Sequence, residues 1–353
     1  MKKSLKIFVF ALIAVLTATL AFSMCACTEK EDTPTDKEPS TQAKEVTVQY
    51  VADGTAARTL LLNSEAGIDF AVVGEPAATT FMGLASLNLN ASMDMQVAYK
   101  NANDNTVTNY PQAGLFVKNS LAADETFMTA LFQALADSKA WVNNNALSVT
   151  TFAKEHLYES AAFPANSIPK CAVNATRLTE EGKNDVISFL NNVAGKDAAG
   201  NAIDWNAQKD KLFSAGDDPG VAPSSLRFTA PEGTPALAIL RLPVDNTTLG
   251  GKETTYEIVA PSNIAAEMSA GKSDLVIMPV NAGANLIRQG AGYTLVSVAV
   301  DGSLYMIGRT EQGGTISFDD LNGKTIACIG KTGVPGLIFR YVMAKNGFTV
   351  KEQ

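Results

Sequence analysis

The residues of this chain that could hold a small molecule stand in polar turns, each closing an apolar run. Gly330, Lys331, Thr332 and Gly333 follow one such run and open a helical pattern. A Walker phosphate loop needs a glycine five places before the second one, and Thr325 stands there, so that motif fails. What is left is a helix N-terminus with unpaired N–H groups beside a lysine. That suits a carboxylate or sulfonate, or is a plain βα turn. Glu232, Gly233, Thr234 and Pro235 make a comparable turn, with Thr234 placed to cap a helix and Pro235 at its first position. Ser262 and Asn263 repeat the arrangement. Capping and lining a cleft each account for both turns. Glu75 and Pro76 follow a third apolar run, and Asn281 a fourth; Glu75 reads equally as an ordinary acid at a helix N-terminus. A carboxylate suits a cationic or N–H-rich ligand, Asn281 offers donor and acceptor, and Lys331 suits an anion. Together they point to a zwitterionic or polar heteroaromatic ligand. Tyr305 and Phe81 either stack on it or belong to the core.

Catalytic chemistry has little to draw on. His156 is the sole histidine, in a Lys-Glu-His-Leu-Tyr context that reads as a solvated surface. Without a nucleophile, base and orienting group, and without clustered metal ligands, no catalytic residue, metal site or cofactor is expected. Asp69 and Asp274 read as turn-capping acids. Cys171 and Cys328 read as buried free thiols.

The elements that must position these turns come as a repeated unit. Residues 47–82 and 255–287 each read strand, helix, Gly turn, Asp, buried strand, polar turn and helix. Ligands of open α/β sheets lie outside the carboxyl ends of the strands. Two copies therefore predict two similar α/β lobes with their loops around one cleft. Further strands are predicted over 95–99, 113–117, 226–229, 294–300, 304–308 and 324–330. Helices are predicted over 236–241 and 334–346. Residues 122–213 show helical spacing at Phe127, Ala130, Leu131, Ala134, Leu135 and Trp141 and no strand signal, which predicts a helical layer. Residues 214–225 are rich in Gly, Pro, Ser and Asp and predict a linker.

The 353 residues are 46% hydrophobic and 18% charged, with a net charge of −8 and no basic stripe, which argues against a nucleic-acid partner. Lys2, Lys3 and Lys6 precede an apolar run over 7–22, right for a signal peptide and short for a spanning helix. Ser23-Met24-Cys25-Ala26-Cys27 follows and resembles a bacterial lipoprotein box. Ala26 suits the place before the lipidated residue better than the bulky Met24, which selects Cys27 over Cys25. Residues 28–45 are charged and rich in Pro and Thr and predict a disordered tether.

As a set, five segments resemble the substrate-binding lipoproteins of ABC importers, in the branch described as nitrate/sulfonate/taurine-like or thiamine-precursor-like. They are LRFTAPEGTPALAI (226–239), DLVIMPVNAGANLI (274–287), DLNGKTIACIGKTGVPGLIFRYVMAKNG (320–347), DFAVVGEPAATT (69–80) and SIPKCAV (167–173). The resemblance implies a two-lobe, periplasmic-binding-protein-like (type II) α/β fold, with mixed sheets and flanking helices. It implies a non-enzymatic monomer that captures a small polar or zwitterionic organic solute between its lobes. Its partners would be ABC permease and ATPase subunits. It would be exported and lipid-anchored at the outer face of the bacterial cytoplasmic membrane. The segment order is rearranged relative to the family, as though Gln353 joined Val46, so the chain reads as circularly permuted. One lobe would then hold 46–117 and 318–353, and the other 118–317, with crossings near Lys118 and Ser317. A swapped dimer is the alternative arrangement. An enzyme of the thiamine-pyrimidine-synthase type and a solute-sensing subunit are the alternative functions.

Overall fold

A computed structural model describes residues 43–197 and 200–353. The signal peptide, Cys27 and nearly all of the expected tether lie outside these residues. Lys44 and Glu45, assigned to the tether, instead begin the first strand.

The chain opens with β1 (Lys44–Val51), α1 (Gly54–Leu62), β2 (Phe70–Gly74), α2 (Ala77–Met82), β3 (Ala91–Asp94) and α3 (Met95–Ala102). After β4 (Pro111–Lys118) come α4 (Asn119–Ala122), α5 (Glu125–Asn144), α6 (Val149–His156), α7 (Glu180–Val193) and α8 (Lys209–Phe213). Then follow β5 (Ser225–Pro231), α9 (Thr234–Ala238), α10 (Leu242–Asp245), β6 (Thr248–Leu249), β7 (Lys252–Val259) and α11 (Ile264–Ser269). The last part holds β8 (Leu275–Pro279), α12 (Val280–Arg288), β9 (Tyr293–Asp301), β10 (Leu304–Gly308), β11 (Gly314–Thr315), β12 (Thr325–Ile329), α13 (Val334–Lys345) and β13 (Phe348–Glu352).

The strands form two mixed sheets with flanking helices, the two-lobe α/β arrangement expected from the repeat. The first has the order β11-β3-β10-β2-β12-β1-β13 and the second β6-β7-β5-β8-β4-β9. One pattern runs through both. Three parallel strands, β1-β12-β2 or β7-β5-β8, are followed by an antiparallel one, β10 or β4, and then by β3 or β9. The two repeats occupy equivalent places, β1-α1-β2-α2 in one sheet and β7-α11-β8-α12 in the other. Their acids also do the same work. Asp69 accepts from the Thr325 N–H at 2.9 Å and from Lys324 at 3.3 Å; Asp274 accepts from the Arg227 N–H at 2.8 Å and from Lys118 at 2.9 Å. Each ties the start of its buried strand to the strand beside it.

Apolar runs become strands covered on both faces, because successive side chains point to opposite sides. Val72, Ile326 and Cys328 join one cluster, while Ala71, Val73 and Ala327 join another. In the second sheet Phe116, Val276 and Met278 share the first cluster with Val72, and Leu115, Leu275 and Ile277 face elsewhere. One apolar body therefore runs from sheet to sheet. Tyr99, Tyr110 and Phe189 lie in it, with ring centroids 5.3 to 6.5 Å apart.

Several expectations need correction. Residues 95–99 are not a strand. Their alternation fits period 2, but Met95, Ala98 and Tyr99 are the buried face of α3, and Asp94 caps it by accepting from the Gln96 and Val97 N–H groups at 2.8 and 3.1 Å. The crossings lie not near Lys118 and Ser317 but at 103–110 and 302–303. Each returning strand, β4 or β10, inserts antiparallel beside the third parallel strand of the sheet it enters, so it belongs to the lobe after the crossing. Gln96 ties the crossings together: its Oε1 accepts from Tyr110 Oη at 2.7 Å and from the Leu304 N–H at 2.8 Å. Residues 122–213 hold helices and 3₁₀ segments joined by irregular stretches, with single bridges such as Val173 to Val300 and no strand among the described residues, and 214–224 are irregular. His156 is half-buried rather than solvated, with its ring 4.3 Å from that of Phe152. Cys171 and Cys328 are buried free thiols, and burial pushes the Cys171 thiol up to about 12.

Candidate functional site

The loops at the carboxyl ends of the two sheets meet at two places, and each joins the loop after the middle parallel strand of one lobe (β5 or β12) to the loop after the third of the other (β2 or β8). At the first, β2 ends and the Glu75–Pro76 peptide, which is cis, leads into α2. The Glu75 side chain folds back on this short helix. Its Oε2 accepts from the Thr79 N–H at 3.0 Å and its Oε1 from Thr79 Oγ1 at 2.8 Å. Burial raises the Glu75 carboxyl above the usual range, against the opposing pull of Thr79 and Lys170. From the other lobe, Thr234 Oγ1 donates to the Glu75 carbonyl at 2.6 Å, and both residues are buried. Gly233 turns the chain there with φ of 91°, a conformation that favours glycine, and its N–H donates to Tyr158 Oη at 3.2 Å.

Lys170 reaches into the same place from a 3₁₀ segment, Ala165–Cys171, that packs with the helical layer. Its Nζ lies 3.9 Å from Glu75 Oε1 and 5.6 Å from the centre of the Tyr305 ring. Glu75, Thr79, Lys170 and Tyr305 line a cavity of about 270 Å³ together with Ser92, Asn166, Met82 and Ile307.

At the second place, Gly330 follows β12 with φ of 65°, and the turn closes through Gly333 N–H to Gly330 O at 3.0 Å. Asn281, buried at the start of α12, donates through Nδ2 to the Thr332 carbonyl at 2.9 Å. Its Oδ1 is buried without a partner. A larger recess of about 930 Å³ opens beside it, lined by Asn281, Asn285, Arg288, Thr332 and Arg340 among others.

The expected site residues thus divide. Glu75, Pro76, Gly233, Thr234 and Tyr305 come together at one contact; Asn281, Gly330, Thr332 and Gly333 come together at the other. Lys331 does not join them, because its ammonium pairs with Glu352 on β13 of its own lobe and lies 5.7 Å from the Tyr50 ring centre. Its charge is thus paired within its own lobe. Ser262 and Asn263 are exposed and make only a contact of 3.4 Å with each other; neither side chain caps α11. Glu232 is exposed, and its N–H donates to the Val259 carbonyl at 3.0 Å. Thr234 does not cap α9. Gly233 occupies that position, and the Thr234 hydroxyl is spent across the seam. Phe81 is core. Sequence reasoning missed Thr79, Tyr158 and Lys170. Thr79 was legible as the residue four places after Glu75, one helical turn on. Lys170 lies far from Glu75 in sequence and on no periodic element; its segment, SIPKCAV, was marked only by the family resemblance.

No family model matches this chain, and no curated protein does. Among solved structures, an oligopeptide ABC transporter periplasmic oligopeptide-binding protein from Thermotoga maritima is similar at 16% identity, with a TM-score of 0.26. The match covers 65% of this chain and 38% of that one, so this chain spans well under half of that protein's length. A likeness of that size fixes neither a ligand nor a partner.

Proposed function

We propose that this chain is the substrate-binding lipoprotein of an ABC importer, anchored through Cys27 and capturing a small polar organic solute between its lobes. One observation carries the reading. Two sheets of matching strand order present their carboxyl-end loops to each other, and those loops meet at Thr234 with Glu75 and at Asn281 with Thr332. Paired crossings held by Gln96 are the kind of connection about which two lobes open and close. Polar loop ends over apolar walls are the usual form of a small-ligand site. A permuted chain order belongs to the same reading. It is supported by β13 lying beside β1, with the Gln353 N–H donating to the Val48 carbonyl at 3.0 Å.

The test is a ligand screen on the whole chain in detergent, read by tryptophan fluorescence during heating. A compound at a hundred times its Kd adds about 2.7 kcal/mol to stability. A binder that is released unchanged supports capture. Turnover of the bound compound moves the protein to the enzyme reading, and a broad metabolite set that leaves the unfolding temperature unmoved overturns the proposal.

A further inference from the structure

Glu75 is an unusual place to bury a charge. Its side chain is 1% exposed, and its two hydrogen bonds come from Thr79 alone, one to each oxygen. An ionised carboxylate has about four acceptor positions, so roughly half remain open. Lys170 is the one cation among the described residues within ion-pair reach of it. That lysine stands off from every group it addresses. Nζ is 3.9 Å from Glu75 Oε1, 3.4 Å from Thr79 Oγ1 and 5.6 Å from the Tyr305 ring centre. A well-made ammonium–carboxylate bond is about 2.7–2.9 Å, and a cation–π contact runs out near 6 Å. The lysine side chain also stays 48% exposed, and it belongs to the opposite lobe.

The carboxylate, the hydroxyl and the aromatic face together are a receptor for an ammonium group. The space in front of them, about 270 Å³, equals roughly nine waters. Ala78, Met82 and Ile307 give it an apolar side. Building on the capture reading above, we infer that Glu75, Thr79 and Tyr305 bind the primary ammonium of a small ligand, and that Lys170 is a stand-in which that ligand displaces. A ligand ammonium could approach Glu75 more closely than Lys170 does, since it is free of the lysine's attachment to the other lobe. The apolar side would take a short hydrocarbon body.

Three isosteric probes separate this from its rivals: n-pentylamine, n-pentanoate and n-pentanol, titrated calorimetrically into the whole chain. The amine binds and the other two do not. Lys170→Met removes the competitor, so the amine binds about tenfold tighter, a change of about 1.4 kcal/mol. Glu75→Gln weakens it about a hundredfold. Should Glu75→Gln fail to fold, the Lys170 variant alone decides. The inference is overturned if Lys170→Met weakens amine binding, if the amine binds neither protein, or if pentanoate binds through Lys170 and pentylamine does not. Solutes that bind with Glu75→Gln unaffected refute the ammonium site and leave capture standing. The failure of every solute in the broad screen refutes capture itself.

Discussion

Asp301 ends β9 at the second crossing, and burial raises its carboxyl from 3.8 to about 6. Asn174 Nδ2 donates to its Oδ2 at 3.2 Å, and Lys139 pulls weakly in the same downward direction, but neither offsets the lost hydration. An acid whose folded-state pKa is raised holds its proton better folded than unfolded. Stability is then highest below the unfolded pKa and falls as pH climbs from about 4 to about 6. The full displacement corresponds to roughly 3 kcal/mol at 1.36 kcal/mol per unit. Because Asp301 is half-buried, solvent screening reduces this to about 2 kcal/mol. Asp301→Asn keeps an acceptor for Asn174 and removes the charge. The variant is therefore expected to be about 2 kcal/mol more stable than the parent at pH 7.5 and indistinguishable from it near pH 4. Urea midpoints measured across that range, with the whole chain, give the difference curve. A stability difference that does not change with pH, or a variant less stable at pH 7.5, would refute burial of the charge as the cause.

Three further outcomes follow from the packing. Thr234→Val removes the hydroxyl that satisfies the buried Glu75 carbonyl and should cost about 1–2 kcal/mol in urea unfolding, with Thr234→Ser recovering most of it. Gly283→Ala places a Cβ 2.2 Å from Cζ of the fully buried Phe116 ring, so the ring must shift; a loss of about 2 kcal/mol, seen as a lowered unfolding midpoint, is expected. The paired acids give an internal control. Asp274, with its side chain 10% exposed, should lose about 2–3 kcal/mol on replacement by Ala, and Asp69, at 35%, clearly less; equal losses in thermal melts would contradict the burial argument.

Much of the scaffold could be read from the residues in order. The twin units announced themselves because a strand buried on both faces is a short unbroken apolar run, as in Phe70 to Val73 and Leu275 to Met278, and because an Asp precedes each. The Cys328 thiol was legible as buried for the same reason, since it stands within such a run. Where two periods fit, residues alone left the choice open. Met95, Val97 and Tyr99 alternate, yet Met95, Ala98 and Tyr99 also share a helix face, and the Asp94 cap tips the balance to helix.

Sheet membership was beyond local reading. Residues 113–117 and 304–308 are apolar strands by any count, but an apolar strand finds a partner on either sheet, and the crossings choose. The same holds for the site. Turn residues Glu75, Thr234, Asn281 and Gly330 stood out because they are Gly or polar groups at the ends of apolar strands, where capping and ligand contact are the two readings. Which of them touch depends on how one lobe sets against the other. Lys331 had the right type and the right loop, and β13 supplied Glu352 to take its charge. Lys170, in a segment marked only by the family resemblance, came instead to stand beside Glu75 and Tyr305. Composition and spacing settle which groups a strand end offers; through-space charge pairing, which ignores chain distance, settles which of those groups remain for a ligand.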